Sequence, residues 1–159
     1  DLPERFFELM TSGSQLAKQG VVAEALAKFA QARSEGSRIL RRLLEIPKTS
    51  SEIQWQVITL LWAFKLVKSL FFWALASAET AESEELRRNF LLVAAGVQLV
   101  GKDISSSFVA LDQHLEGQDR ELLYLLGEAV SNFQERQQML ERMLKEQGIN
   151  STAIFGNSR

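Results

Sequence analysis

Residues 55–75, WQVITLLWAFKLVKSLFFWAL, hold all three tryptophans of the chain and three of its ten phenylalanines. A segment this apolar ends up across a bilayer, inside a protein core, or against a partner, and each outcome implies a different fold. On the translocon scale its eleven Leu, Ile, Val and Phe residues favour insertion by roughly 3–7 kcal/mol, while each mid-span lysine costs about 2.5–3.5 kcal/mol. Lys65 and Lys68 therefore cancel the gain, and Gln56 and Thr59 act in the same direction. The segments on either side are patterned for water, so a lone span is the weaker reading.

As a helix, the segment shows two stripes. Ile53, Val57, Leu60, Phe64, Val67, Phe71 and Leu75 form one. Trp55, Trp62, Leu66 and Trp73 form the other, because steps of seven and eleven residues return to within about 20° at 100° per residue. Lys65, Lys68 and Glu79 occupy a narrow polar strip. A helix apolar over most of its circumference is expected to be enclosed by neighbours on several sides. The tryptophan stripe is then expected to fill the second half of the core. The competing reading makes part of it a groove for a partner helix or an apolar ligand, since tryptophan is a common interface anchor.

The rest of the chain supplies the neighbours. At 159 residues it is one domain by length, expected over 1–148, with 149–159 a loose tail. Two prolines and nine glycines suit long helices better than a many-turned β fold. Asp1 with Glu4 has capping-box spacing, and Phe6, Leu9, Met10, Leu16 and Ala17 make a short amphipathic helix ending near Gly20. A second helix runs from about Val21 to Pro47, with Gly36 as a kink or break. Thr49 with Glu52 spaces another capping box before the aromatic helix, about 50–79. After an acidic connection, Ser83 is the expected N-cap of a fourth helix. That helix carries Leu86, Phe90, Val93, Val97, Val100, Ile104, Phe108, Leu111 and Leu115 and stops at Gly117. Asp119 starts the fifth, which ends before Gly148. The expected fold is all-α: a two-helix N-terminal hairpin plus three long antiparallel helices, with the aromatic helix at the centre.

Residues 9–32, LMTSGSQLAKQGVVAEALAKFAQA, resemble one tetratricopeptide-type helical hairpin through Gly13, Leu16, Gly20, Ala25, Phe29 and Ala32. The same pattern is similar to the first hairpin of microtubule-interacting-and-trafficking domains, which bind partner helices. Ser12 stands where the repeat has an apolar residue, and no second copy follows at a period of about 34 residues. The resemblance implies protein binding without catalysis.

Catalytic chemistry finds little to work with. No cysteine is present and His114 is the only histidine. Thiolate catalysis, two-histidine metal sites and paired Glu-x-x-His di-iron bundles are therefore excluded. His114 is expected in the last turn of its helix, where it favours the dipole. GVQLVGKD, 96–103, follows a phosphate-cradling loop up to its lysine, then places Asp103 where the loop needs Ser or Thr for magnesium. Val93, Val97, Val100 and Ile104 run through it at helical spacing, so Gly96 and Gly101 read as close-packing points. Arg33, Arg38, Arg41 and Arg42, joined by Lys48, surround the end of the second helix. Arg38, Arg41, Arg42 and Glu45 share one face, expected to be solvated with internal ion pairs, or else to meet an anionic partner. Glu79, Glu82, Glu84 and Glu85 suit a helix start, and the Asn150-Ser151-Thr152 sequon is read as coincidence.

Net charge −2 gives nucleic acid or an anionic membrane no overall attraction. The absence of cysteine and of a signal-peptide pattern suits a reducing, cytoplasmic setting. No catalytic residue, cofactor or metal is expected. The favoured function is a non-enzymatic helical adaptor that binds another protein through Trp55, Trp62 and Trp73 or the N-terminal hairpin, with Arg38, Arg41 and Arg42 as a further contact; self-association is left open. The alternatives are a bundle that binds an apolar small molecule, lipid or pigment, beside the tryptophans, and a membrane-active protein that exposes 55–75 on opening.

Overall fold

A computed structural model of the chain describes residues 2–47, 52–106 and 119–150. Among these residues there are five helices and no strand: α1 (Leu2–Lys18), α2 (Val22–Glu45), α3 (Glu52–Glu79), α4 (Glu84–Ser106) and α5 (Asp119–Glu146). The all-α bundle expected from the periodicity is the observed architecture.

Local chemistry accounts for the helix ends. Gly20 and Gly148 adopt φ of +81° and +68°, the left-handed region that costs glycine nothing. In both cases a Schellman motif closes the helix. The Val21 N–H donates to the Leu16 carbonyl and that of Gly20 to Ala17; Ile149 and Gly148 do the same to Leu144 and Lys145. Ile149 packs against the core, so the packed part of the chain extends past Gly148. Ile46, ahead of Pro47, is extended with ψ 131°, as the proline ring requires. Ser83 caps α4 by accepting the Leu86 N–H on its Oγ at 3.2 Å. Asp1, the Thr49 cap, Lys48, Phe108, Leu111, His114, Leu115, Gly117 and 151–159 lie outside the described residues.

Contacts between side chains set the register of the bundle. In the N-terminal hairpin a Cβ on Gly13 would stand 2.5 Å from the Phe29 ring, and one on Gly36 would meet Phe6 at 3.5 Å. Gly36 is thus a seat for Phe6 within an unbroken α2, not the break that its residue type suggested. Trp73 meets Phe90 edge-on at 5.7 Å, which sets α3 and α4 antiparallel. At the other end of α4, Phe133 of α5 covers Gly101, where any Cβ would stand 2.5 Å from the ring. Gln147 donates to Glu84 at 3.0 Å, so α5 runs antiparallel to α4 and parallel to α3. Phe133 also packs on Phe64 and Phe71, with ring centroids 5.4 and 4.9 Å apart, and is fully buried.

The N-terminal hairpin docks mainly through α2 onto α4. There Arg33 donates twice to Asp103, from Nε at 2.7 Å and from Nη2 at 3.1 Å. This removes Arg33 from the arginine cluster at the end of α2. It also explains the aspartate that broke the phosphate-loop pattern: Asp103 holds a neighbouring helix. The sequence 96–103 is helical throughout, with Gly96 and Gly101 buried. α3 touches all four other helices, yet α4 is the more enclosed: every residue from Val93 to Gln98 is buried. Leu86, expected in the α4 stripe, is 46% exposed, because it lies in the first turn, ahead of the packed stretch.

Phe133→Ala should lower unfolding free energy by about 3–5 kcal/mol, the usual cost of emptying an aromatic core site. Urea unfolding followed by circular dichroism measures it, and a loss below about 1 kcal/mol would contradict the placement of this ring.

Candidate interaction surface on the third helix

The first α3 stripe is core: Val57, Leu60, Phe64, Val67, Phe71 and Leu75 are all buried. The side chain of Ile53 lies outside the described residues. The second stripe departs from expectation. Trp55 is 68% and Trp62 62% exposed, while Leu66 and Trp73 are half-buried. The tryptophans therefore do not fill a second half of the core. α3 has α4 and α5 as its principal neighbours, whereas the N-terminal hairpin sits chiefly on α4 and reaches α3 only lightly. Nothing among the described residues covers the tryptophan side of α3 at Trp55 and Trp62. Trp73 is the exception, held between Phe90 and the Lys18 ammonium, 5.6 Å above its ring.

The open face is a ridge about one side chain wide. At 100° per residue, Trp55, Trp62 and Leu66 fall on one line, with Ile58 and Ser69 within about 60° of it. From Trp55 to Ser69 it extends about 21 Å at 1.5 Å per residue. Thr59 flanks it on one side, with its hydroxyl turned back to donate to the Trp55 carbonyl at 2.9 Å. On the other side the flank is cationic. Lys65 lies 5.5 Å over the Trp62 ring, and Lys68 and Arg136 lie 5.6 and 5.2 Å from Phe72. These cation–π contacts were not read from the sequence, although the i, i+3 spacing of Trp62 and Lys65 was a usable signal.

The other candidate residues occupy the same end of the bundle. Arg38, Arg41, Arg42 and Glu45 line a shallow surface depression of about 460 Å³. All four side chains are exposed. Within the cluster Arg38 pairs with Glu35 at 3.5 Å, one turn back, and not with Glu45. Six residues lie between Glu45 and Glu52, a reach of at most about 25 Å, so this depression lies near the start of α3. On α5, Tyr124 is 68% and Leu125 49% exposed. Since α3 and α5 run parallel with Phe133 level with Phe64 and Phe71, these two stand level with Trp55 and Trp62. They fall off the Val130, Phe133, Leu140, Leu144 stripe, which is how the sequence could have revealed them.

Among the described residues no three His, Cys, Asp or Glu side chains gather as a metal site would need. The stretch Trp55–Glu79 is long and apolar enough to cross a membrane, and half of its most apolar part is buried inside the protein.

The two faces of α3 should respond differently to truncation. Trp62→Ser should change stability by no more than about 0.5 kcal/mol, as for an ordinary surface site. Phe64→Ala, two residues on, should cost about 3–5 kcal/mol. Paired chemical denaturation curves test this, and equal losses would place both side chains in the core. Against known proteins, no family model matches the chain, and no curated protein and no solved structure matches it significantly.

Proposed function

We propose that the chain is a non-enzymatic helical module of the cytoplasm that binds another protein through the open face of α3. The observation that carries this reading is the exposure of Trp55 and Trp62 on a helix whose opposite face is fully buried. Large indoles left in water forgo hydrophobic stabilisation that burial would supply. Contiguous exposed apolar surface of this kind marks interaction sites. Tryptophan and arginine lead the residues that dominate interface energies, and Arg38, Arg41 and Arg42 stand at the same end of the molecule. The likeness of residues 9–32 to helical hairpins of binding modules agrees with this reading.

An enclosed apolar ligand fits less well. Small-molecule sites bury most of their ligand in a concavity, whereas Trp55 and Trp62 stand on a ridge and the described depression is lined by charged side chains.

The test is affinity capture from source cells with the tagged full chain and with a Trp55→Ala/Trp62→Ala double variant. The expected result is a stoichiometric protein partner retained by the parent chain and lost by the variant, with both showing the same helical circular dichroism. Equal recovery by the two chains, or no stoichiometric partner, contradicts the proposal.

A further inference from the structure

The charge around the open face narrows what can occupy it. Resting on the reading of α3 as a docking face, we propose that its occupant is an amphipathic helix of another protein. The apolar stripe of that helix lies along Trp55, Trp62 and Leu66, and its acidic edge meets Lys65, Lys68 and Arg136.

The argument starts from composition. Between Glu52 and Glu79, α3 carries no aspartate or glutamate, although the whole chain has net charge −2. Three cations stack on rings along one side of α3: Lys65 on Trp62 at the edge of the ridge, and Lys68 and Arg136 on Phe72, about 100° round the helix from the tryptophan line. None of the three makes an ion pair among the described residues. A ring holds a cation but leaves its charge without a counter-ion, so the flank is available to a carboxylate. The stacking also holds these side chains along the ridge, which lowers the ordering cost when a partner arrives.

The width and length of the ridge suit one helix. Its roughly 21 Å is about four turns, and anchors at i, i+3, i+4 and i+7 are how a helix fills such a seam. The basic flank is also local. Glu121, Glu128 and Glu135 of α5 are exposed, on the face of α5 turned away from its packed stripe, so the acidic edge of the partner is placed by Lys65, Lys68 and Arg136 themselves.

Two other occupants fit worse. A parallel pair of copies would set each basic flank against the uncharged Thr59 side of the other ridge and supply no counter-charge. An antiparallel pair would bring that flank level with Glu121 and Glu128. A dimer in sedimentation analysis of the chain alone would overturn the proposal in favour of that pair. A bilayer is broad, and one laid on the ridge would extend over α5 to Glu121 and Glu128.

The test uses the full chain and two fluorescein-labelled designed peptides with the same leucine stripe, one flanked by glutamates and one by lysines. In fluorescence anisotropy at low salt the glutamate peptide should bind at least about tenfold more tightly, and the ratio should collapse near 1 M salt as exposed charges are screened. Lys65→Glu combined with Arg136→Glu should reverse the preference, both sites being exposed and circular dichroism confirming the fold. Trp62→Ala should weaken both peptides. Equal or reversed preference in the parent chain, with Trp62→Ala still weakening both, overturns the acidic partner and leaves the docking face standing. No binding of either peptide, or binding indifferent to Trp62→Ala, removes the docking face as well. Binding to vesicles of mixed zwitterionic and anionic lipid without discrimination between the peptides overturns the proposal in favour of a membrane surface.

Discussion

Phe133 joins the three long helices. Its ring lies between Phe64 and Phe71 of α3 and directly over Gly101 of α4, so one side chain sets both the spacing and the register of α3, α4 and α5. The contact needs a residue without a Cβ on α4. Packed interiors resist added volume, and an alanine at 101 would push the ring against two phenylalanines that have nowhere to go. Gly13 under Phe29 repeats the device in the N-terminal hairpin. The molecule is thus two aromatic-over-glycine joints, linked by the packing of α2 on α4 and by the bidentate pair Arg33–Asp103.

This arrangement explains why an almost wholly apolar helix ends with an open side. Once α4 and α5 have both closed on Phe64 and Phe71, the stripe of Trp55 and Trp62 points away from them, and the N-terminal hairpin is committed to α4. Among the described residues no further helix lies over Trp55 and Trp62. Under the adaptor function proposed above, a partner helix would occupy that open side, and the cations on Trp62 and Phe72 would select its charge.

Much of this was legible in the sequence. The five helices of the described residues, the Val57–Leu75 stripe, the glycine stops at 20 and 148 and the Ser83 cap follow from periodicity and local hydrogen bonding, which act over a few residues. What was not legible depends on how helices are arranged in three dimensions. Periodicity shows that both sides of α3 are apolar, but not how many neighbours it has, so the tryptophan stripe was assigned to the core. Gly36 reads as a kink or a break from its residue type alone; only the structure shows it buried inside a continuous α2, within contact distance of Phe6. Arg33 looked like one of a surface cluster because its partner, Asp103, is 70 residues away, and the same separation hid the role of the aspartate.

The one-sidedness of α3 is the claim on which the rest depends, and fluorine NMR of the chain labelled with 5-fluorotryptophan addresses it directly. The three resonances report Trp55, Trp62 and Trp73, and single Trp→Phe variants assign them. On exchange from H₂O to D₂O, two of them, Trp55 and Trp62, should show a large solvent isotope shift, and Trp73, shielded by Phe90 and Lys18, a much smaller one. Small shifts at all three would mean that the tryptophans are core after all, and the open face would not exist.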